Sequence, residues 1–353
     1  MVKIFTKNIF ERYNLCYNKR GVKMGRIELK HGGGGRSSQD ILKLFLKYFD
    51  NDILRGLEDA SILNANGEIA FTTDSFVVKP LFFPGGDIGK LSICGTVNDL
   101  SSRGAIPEYI STSFIIEEGF EIEDLEKIVK SMAETAKEVG VKIVTGDTKV
   151  VERGKADGLY INTSGIGVVK IKGISAHNVK PGDKVIVTGT LGEHGISVLA
   201  KREGLNLNVD VVSDCAPLNR VVEKLFPLGS EIHAMRDPTR GGLAAVLNEI
   251  AVSSHVDIRI YESEIPVKEE VVNACEILGL DVLTLANEGK LVIFASPTVA
   301  DDVVAILKSD PLFGDCNIIG EVYQGKGIVT MKTVYGTERF VDMPAGEILP
   351  RIC

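Results

Sequence analysis

After residue 24 the chain alternates helix-like and strand-like apolar stretches separated by short glycine-rich joints. Joints of only a few residues oblige neighbouring elements to pack as layers, so this alternation restricts the fold to an α/β or α+β arrangement. Ile41, Leu42, Phe45, Tyr48 and Phe49 fall on one face of a helix. Ile122, Leu125, Ile128, Val129, Met132, Ala136 and Val139 do the same, and Gly140 stands where a left-handed residue would end that helix. Residues 141–145 then read as a buried strand, with Gly146-Asp147-Thr148-Lys149 leaving its C-terminal end, a good place for chemistry.

A length of 353 residues with 44% hydrophobic content exceeds what one core usually organises, so two domains are expected. The boundary falls near 175, before the turn Pro181-Gly182-Asp183, the strand 184–188 and the joint Gly189-Thr190-Leu191-Gly192-Glu193-His194-Gly195. Residues 1–23 carry six basic residues against Glu11 alone and read as an appendage, disordered or preceding a start at Met24. The division is thus extension 1–23, domains 24–174 and 175–340, and a mobile tail 341–353, whose Pro344, Gly346 and Pro350 leave too little apolar periodicity for a core element.

Net charge of −8 leaves no basic field for nucleic acid. Apolar runs such as 291–295 fall short of the roughly 20 residues that cross a bilayer. Neither nucleic acid nor membrane is an expected partner. The six cysteines form no C-x-x-C pair and the histidines no H-E-x-x-H, which argues against zinc and a disulfide framework and for the cytoplasm.

Asp74, Asp87, Asp99 and Asp147 sit at strand ends or in glycine-rich settings suited to holding Mg²⁺ with phosphates; any one alone reads first as a helix cap or turn residue. His31-Gly32-Gly33-Gly34-Gly35 could bring backbone N–H groups to an anion or serve as a linker, but Arg36-Ser37-Ser38 directly after it rules out a Walker A loop. Glu288, before the apolar strand 291–295, could act as a base or be a solvated loop carboxylate. Lys149 could meet phosphate or move protons, or simply pair with Asp147. Cys353, the last residue, places a thiol at the end of the tail.

These segments resemble the HypE family, the carbamoyl dehydratases of nickel–iron hydrogenase maturation, within the aminoimidazole ribonucleotide synthetase-like (PurM-like) ATP-binding superfamily. The resemblance runs from about Met24 to Cys353 through Thr73-Asp74-Ser75-Phe76, Phe83-Pro84-Gly85-Gly86-Asp87, Gly95-Thr96-Val97-Asn98-Asp99, Gly146-Asp147-Thr148-Lys149, Asp237-Pro238-Thr239-Arg240-Gly241-Gly242 and Asn287-Glu288-Gly289. The ending Pro350-Arg351-Ile352-Cys353 is particular to this family rather than to selenophosphate synthetase or thiamine monophosphate kinase.

The resemblance implies a two-domain α+β layered fold, with ATP binding and homodimerisation in residues 24–174. It implies ATP- and Mg²⁺-dependent conversion of an S-carboxamide on Cys353 to a thiocyanate, the source of the iron's cyanide ligand. The carbamoyltransferase HypF and a HypC–HypD scaffold are the implied partners. Asp74, Asp99 and Asp147 are the implied metal holders. Asp87, Asn98, Gly146 and Thr148 are implied nucleotide contacts, and Glu288 and Lys149 the proton acceptors, Glu288 first because a carboxylate starts ionised at neutral pH. Thirteen tail residues span at most about 40–45 Å, enough for Cys353 to visit both a nucleotide and a partner.

Overall fold

The computed structural model describes residues 25–31, 35–56, 60–202, 210–346, 349 and 351–353; the extension and most of the 31–35 glycine run lie outside them. The first half contains α1 (Gly35–Phe49), β1 (Ile69–Phe76), the short pair β2 (Phe82–Phe83) and β3 (Gly86–Asp87), and α2 (Ile88–Ser102). It continues through β4 (Ala105–Glu117), α3 (Ile122–Val139), β5 (Lys142–Val151) and β6 (Leu159–Val169). The second half holds β7 (Lys184–Val187), α4 (Glu193–Ala200), α5 (Asn219–Leu225), β8 (Ile232–Arg236), α6 (Gly242–Ser254) and β9 (Val256–Tyr261). After these come α7 (Glu269–Leu278), β10 (Val292–Ala295), α8 (Ala300–Lys308), β11 (Asn317–Gln324), β12 (Val329–Lys332) and β13 (Glu338–Phe340).

In the first half a four-stranded sheet, ordered β1-β6-β4-β5, is covered on one face only among the described residues. Period-two alternation sends Phe76, Ile161 and Phe114 into the core beneath α2 and α3. It leaves Ile69, Phe71 and Ile115 exposed on the other face. Each fully buried phenylalanine contributes roughly 1.5–3 kcal/mol. α2 is buried on nearly all sides, which its small and apolar residues permit. A Cβ at Gly95 would come within 2.8 Å of the Phe76 ring, so glycine sets how closely this helix meets β1.

The second half is a seven-stranded sheet, ordered β13-β12-β9-β11-β7-β10-β8. Val185, Val187, Val292 and Phe294 pack with α6 on one face, while Ile186 and Ile293 pack with α5 and α8 on the other. Strands buried on both faces are continuous apolar runs for this reason.

Two sequence expectations change. The strand expected over 141–145 extends to Val151, so Gly146-Asp147-Thr148-Lys149 lies inside an edge strand rather than beyond its end. Parallel pairing with residues 109–117 of β4 holds it there, a long-range ladder that local polarity does not reveal. The described end of the tail is a core element: Ile352 and Cys353 are 3% and 8% exposed and belong to the cluster of Phe76 and Val97.

Candidate active site

The tail docks by backbone pairing, which needs no apolar period. Val77 N donates to Cys353 O at 3.1 Å and Lys79 N to Arg351 O at 3.2 Å, as if adding a short strand to 77–79. Arg351 Nε donates to Val77 O at 2.9 Å, and its guanidinium pairs with Asp157. Arg202 Nη2 donates to Arg351 O at 3.0 Å. His194 Nε2 lies 2.8 Å from Ile352 O, and its Nδ1 lies 2.8 Å from Ser213 Oγ. A carbonyl only accepts, so Nε2 carries the proton and Nδ1 accepts from the serine. Burial lowers the His194 pKa and keeps the ring in this neutral form.

The docked sulfur sits where the two halves meet. Arg240 Nε donates to Cys353 Sγ at 3.2 Å, and Nη2 of the same guanidinium lies 3.5 Å from Asp74 Oδ1. Burial, then the nearby Glu288 charge, pushes the Cys353 thiol up to about 12 despite Arg240. The docked group is therefore a thiol and a poor nucleophile. Glu288 is 2% exposed, and its Oε1 has no hydrogen-bond partner among the described residues. Burial first, then the neighbouring Cys215 and Asp237, pushes its pKa well above the usual carboxylate value. The expectation that it starts ionised took the ordinary carboxylate value, and the burial that opposes ionisation here is what sequence does not show.

Loop geometry fixes this arrangement. Asn287 donates through N and Nδ2 to Pro238 O at 3.0 and 3.2 Å and accepts from Gly192 N at 2.7 Å, which ties the Glu288 loop to the Arg240 loop. A Cβ at Gly289 would stand 1.8 Å from Asp214 O, so only glycine lets the loop pass there. Asp214 in turn accepts from the backbone N of Glu288 and Gly289.

Asp74 and Asp99 stand on β1 and α2, both raised by burial, and Asp99 Oδ2 accepts from Thr72 Oγ1 at 2.7 Å. Asp147 is not beside them. Its neighbour Gly146 pairs with Thr112, Thr112 with Thr163, and Thr163 with Asp74, three strand spacings or roughly 14 Å across the sheet. Lys149, exposed and paired with Asp147 at 2.7 Å, lies on that far edge too, away from Cys353 within one chain. Gly146, Asp147 and Thr148 instead line a cavity of about 500 Å³ walled by Ile41, Phe45 and Phe114.

Asp87 and Asn98 are corrections of another kind. Asp87 caps α2, its Oδ1 accepting from Gly89 N at 2.7 Å and Lys90 N at 3.1 Å, so that oxygen is engaged at the helix terminus. Buried Asn98 donates to Ala216 O and Glu288 O and accepts from Leu218 N at 2.9 Å, a tether between the halves rather than a substrate contact. Arg240, Asp237 and His194 were not among the expected site residues. The first two lie in the Asp237-Pro238-Thr239-Arg240-Gly241-Gly242 segment already matched to the family, which was the available signal. Asp237 is raised to about 7 by burial and then by Asp99.

Residues 57–169 match the model for the AIR synthase related protein N-terminal domain, and residues 180–332 that for the C-terminal domain. The chain is 50% identical to the carbamoyl dehydratase HypE of Rhizobium leguminosarum bv. viciae, over 95% of this chain and 97% of that protein. The chain belongs to the HypE family. A solved HypE in complex with ATP is 48% identical and superposes with a TM-score of 0.89, over 92% of this chain and 99% of that one. A chain of a solved HypE–HypF complex is 56% identical with a TM-score of 0.76, over 86% and 99% respectively. The fold is that two-domain α+β architecture of HypE proteins, and its terminal cysteine lies inside the site rather than outside it.

Proposed function

We propose that this chain dehydrates an S-carboxamide on its own Cys353 to a thiocyanate at the expense of ATP, supplying the cyanide ligand of nickel–iron hydrogenase. The observation that carries the reading is the burial of Cys353 Sγ against Arg240, beside Glu288 and one guanidinium away from Asp74. A sulfur docked there presents whatever it carries to both a proton acceptor and the carboxylates of a phosphate site.

The reaction balances in two stages. The carboxamide oxygen attacks the γ-phosphorus, the bond from that phosphorus to the bridging oxygen breaks, and ADP leaves with the electron pair. One nitrogen proton is lost. Loss of the second nitrogen proton then expels phosphate with the C–O electrons and leaves the C≡N bond. Phosphorylation is needed because an amide oxygen is a poor leaving group. Glu288, once ionised, takes a nitrogen proton; Lys149 lies too far within one chain and could serve only across a dimer.

Mg²⁺ fits Asp74 and Asp99, since this cation is usually held by one or two carboxylates together with substrate phosphates. Among the described residues no group of three or more His, Cys, Asp or Glu side chains is placed to hold a metal alone, which suits a cation shared with the nucleotide. When bound it would offset charge on the transferred phosphoryl group. The cavity beside Gly146, Asp147 and Thr148 has the size of a small-molecule site and an apolar wall suited to a base.

The reading extends to a homodimer that pairs the uncovered faces of the four-stranded sheets, supported by exposed Ile69, Phe71 and Ile115. Alternation puts Asp147 and Lys149 on that same face, so pairing is how they would join the site as phosphate holder and proton acceptor. Domains 24–174 and 175–340 would clamp the docked end of the tail, 341–353. Carbamoylation by HypF and delivery to a HypC–HypD scaffold both require the tail to undock, because docked Cys353 is only 8% exposed. The cytoplasm suits the five described cysteines, all free thiols. Protein carbamoylated by HypF and given Mg-ATP should lose one water from its C-terminal peptide; an unchanged peptide mass would defeat the reading.

A further inference from the structure

A carboxamide on sulfur has a two-fold ambiguity: rotation about the S–C bond exchanges its oxygen and its nitrogen. Only the oxygen is to face the phosphate, so dehydration requires the site to tell the two apart. The groups around Cys353 Sγ differ in kind. Arg240 offers N–H donors and no acceptor. Its Nε already reaches Sγ at 3.2 Å, and its Nη2 lies 3.5 Å from Asp74 Oδ1. Glu288 offers a buried carboxyl whose Oε1 is unpartnered among the described residues. A carbonyl oxygen two bonds from Sγ falls within reach of the arginine fork, whereas an amide nitrogen there would set donor against donor.

Arg240 is also held and open at once. The Asn287 bonds to Pro238 O anchor its loop, and a Cβ at Gly242 would meet Leu285 O at 2.5 Å, so the loop sits directly on the segment leading to Glu288. Its side chain borders two cavities of about 450 and 460 Å³. One holds Asp99 and Asp237; the other runs beneath the tail along Met343, Leu349 and Ile352.

We propose that Arg240 is a catalytic residue that binds the carboxamide oxygen on Cys353, turning it toward Asp74 and the γ-phosphate and leaving the nitrogen to Glu288. This rests on the dehydratase reading and adds to it the group that selects the nucleophilic atom. The same guanidinium reaches both the sulfur that carries the carboxamide and Asp74 on the phosphate side. Loss of such a preorganised donor typically slows a reaction by about 10²–10³-fold.

The test uses full-length protein carbamoylated on Cys353, mixed with Mg-ATP and followed by mass in a single turnover. Arg240→Gln should lose dehydration by about 10²–10³-fold. Arg240→Lys should recover only a small part, because an ammonium cannot span sulfur and Asp74 as a fork does. Arg240→Ala should be rescued by added ethylguanidinium with saturating dependence, an effect that a merely structural role would not produce. Wild-type rates in Arg240→Gln, or no rescue in a folded Arg240→Ala, overturn the proposal. Should the Gln protein not fold, the Lys protein decides, and wild-type turnover there overturns it equally. If wild-type protein itself loses no water, the dehydratase reading has failed, an outcome distinct from all of these.

Discussion

Two carboxyls, half-buried Asp237 and buried Glu288, set the proton inventory around Cys353. Both are raised, chiefly by burial, Asp237 to about 7. The folded state holds protons that the unfolded chain releases above its ordinary carboxylate value, so their stabilisation is full below about pH 4 and is lost as pH rises through the folded values. Thermal unfolding of Asp237→Asn should therefore show a flatter decline between about pH 4 and 7 than wild type; an unchanged slope would remove Asp237 as its source. Catalysis runs the other way, because Glu288 must ionise before it accepts a proton. Glu288→Gln should bind nucleotide normally and slow dehydration by about 10²–10⁴-fold, and a normal single-turnover rate would exclude it as the base. Glu288 was legible as a loop carboxylate before a strand, but its burial and raised pKa come from the packing of distant residues. Arg240 was missed because a loop arginine between Thr239 and Gly241 looks like any solvated cation until the last residue of the chain lies against it.

At the scale of elements, the docked tail is a strand-like addition held by His194, Arg202 and Arg351. His194→Ala removes the donor to the Ile352 carbonyl, while Ser213 Oγ still accepts from Cys215 N, at a cost of roughly 1–3 kcal/mol to docking. Cys353 in that variant should alkylate about tenfold faster or more, and an equal rate would show that the histidine does not restrain the tail. Helices α1, α3 and α6 obey apolar periods visible in the sequence, and the left-handed Gly140 ends α3 where expected. The extent of β5 and the docking of Cys353 were not visible, because both depend on backbone pairing between segments far apart in the chain. Asp87 shows the same limit from the other side: a carboxylate in a glycine-rich turn becomes a metal ligand or a helix cap according to the neighbours that the fold brings to it.

For the whole molecule, two sheets bring the parts of one site together, with buried α2 and its Asn98 tether joining them. Phe71 is 68% exposed on the uncovered face of the first sheet. Phe71→Asp should yield monomers by sedimentation with an intact fold, and lose turnover if Asp147 and Lys149 act across the interface. A dimer that persists would place the contact elsewhere. The layered α+β class was readable from glycine-jointed alternation, and the family from short motifs, whereas the separation of Asp147 from Asp74 required the strand order. The central claim is that the sulfur of Cys353 carries the substrate into this site. Single-turnover mass spectrometry of the carbamoylated chain with Mg-ATP tests it most directly: the account predicts loss of one water confined to the C-terminal peptide, in step with ADP release. ADP release with the carboxamide left intact would contradict it.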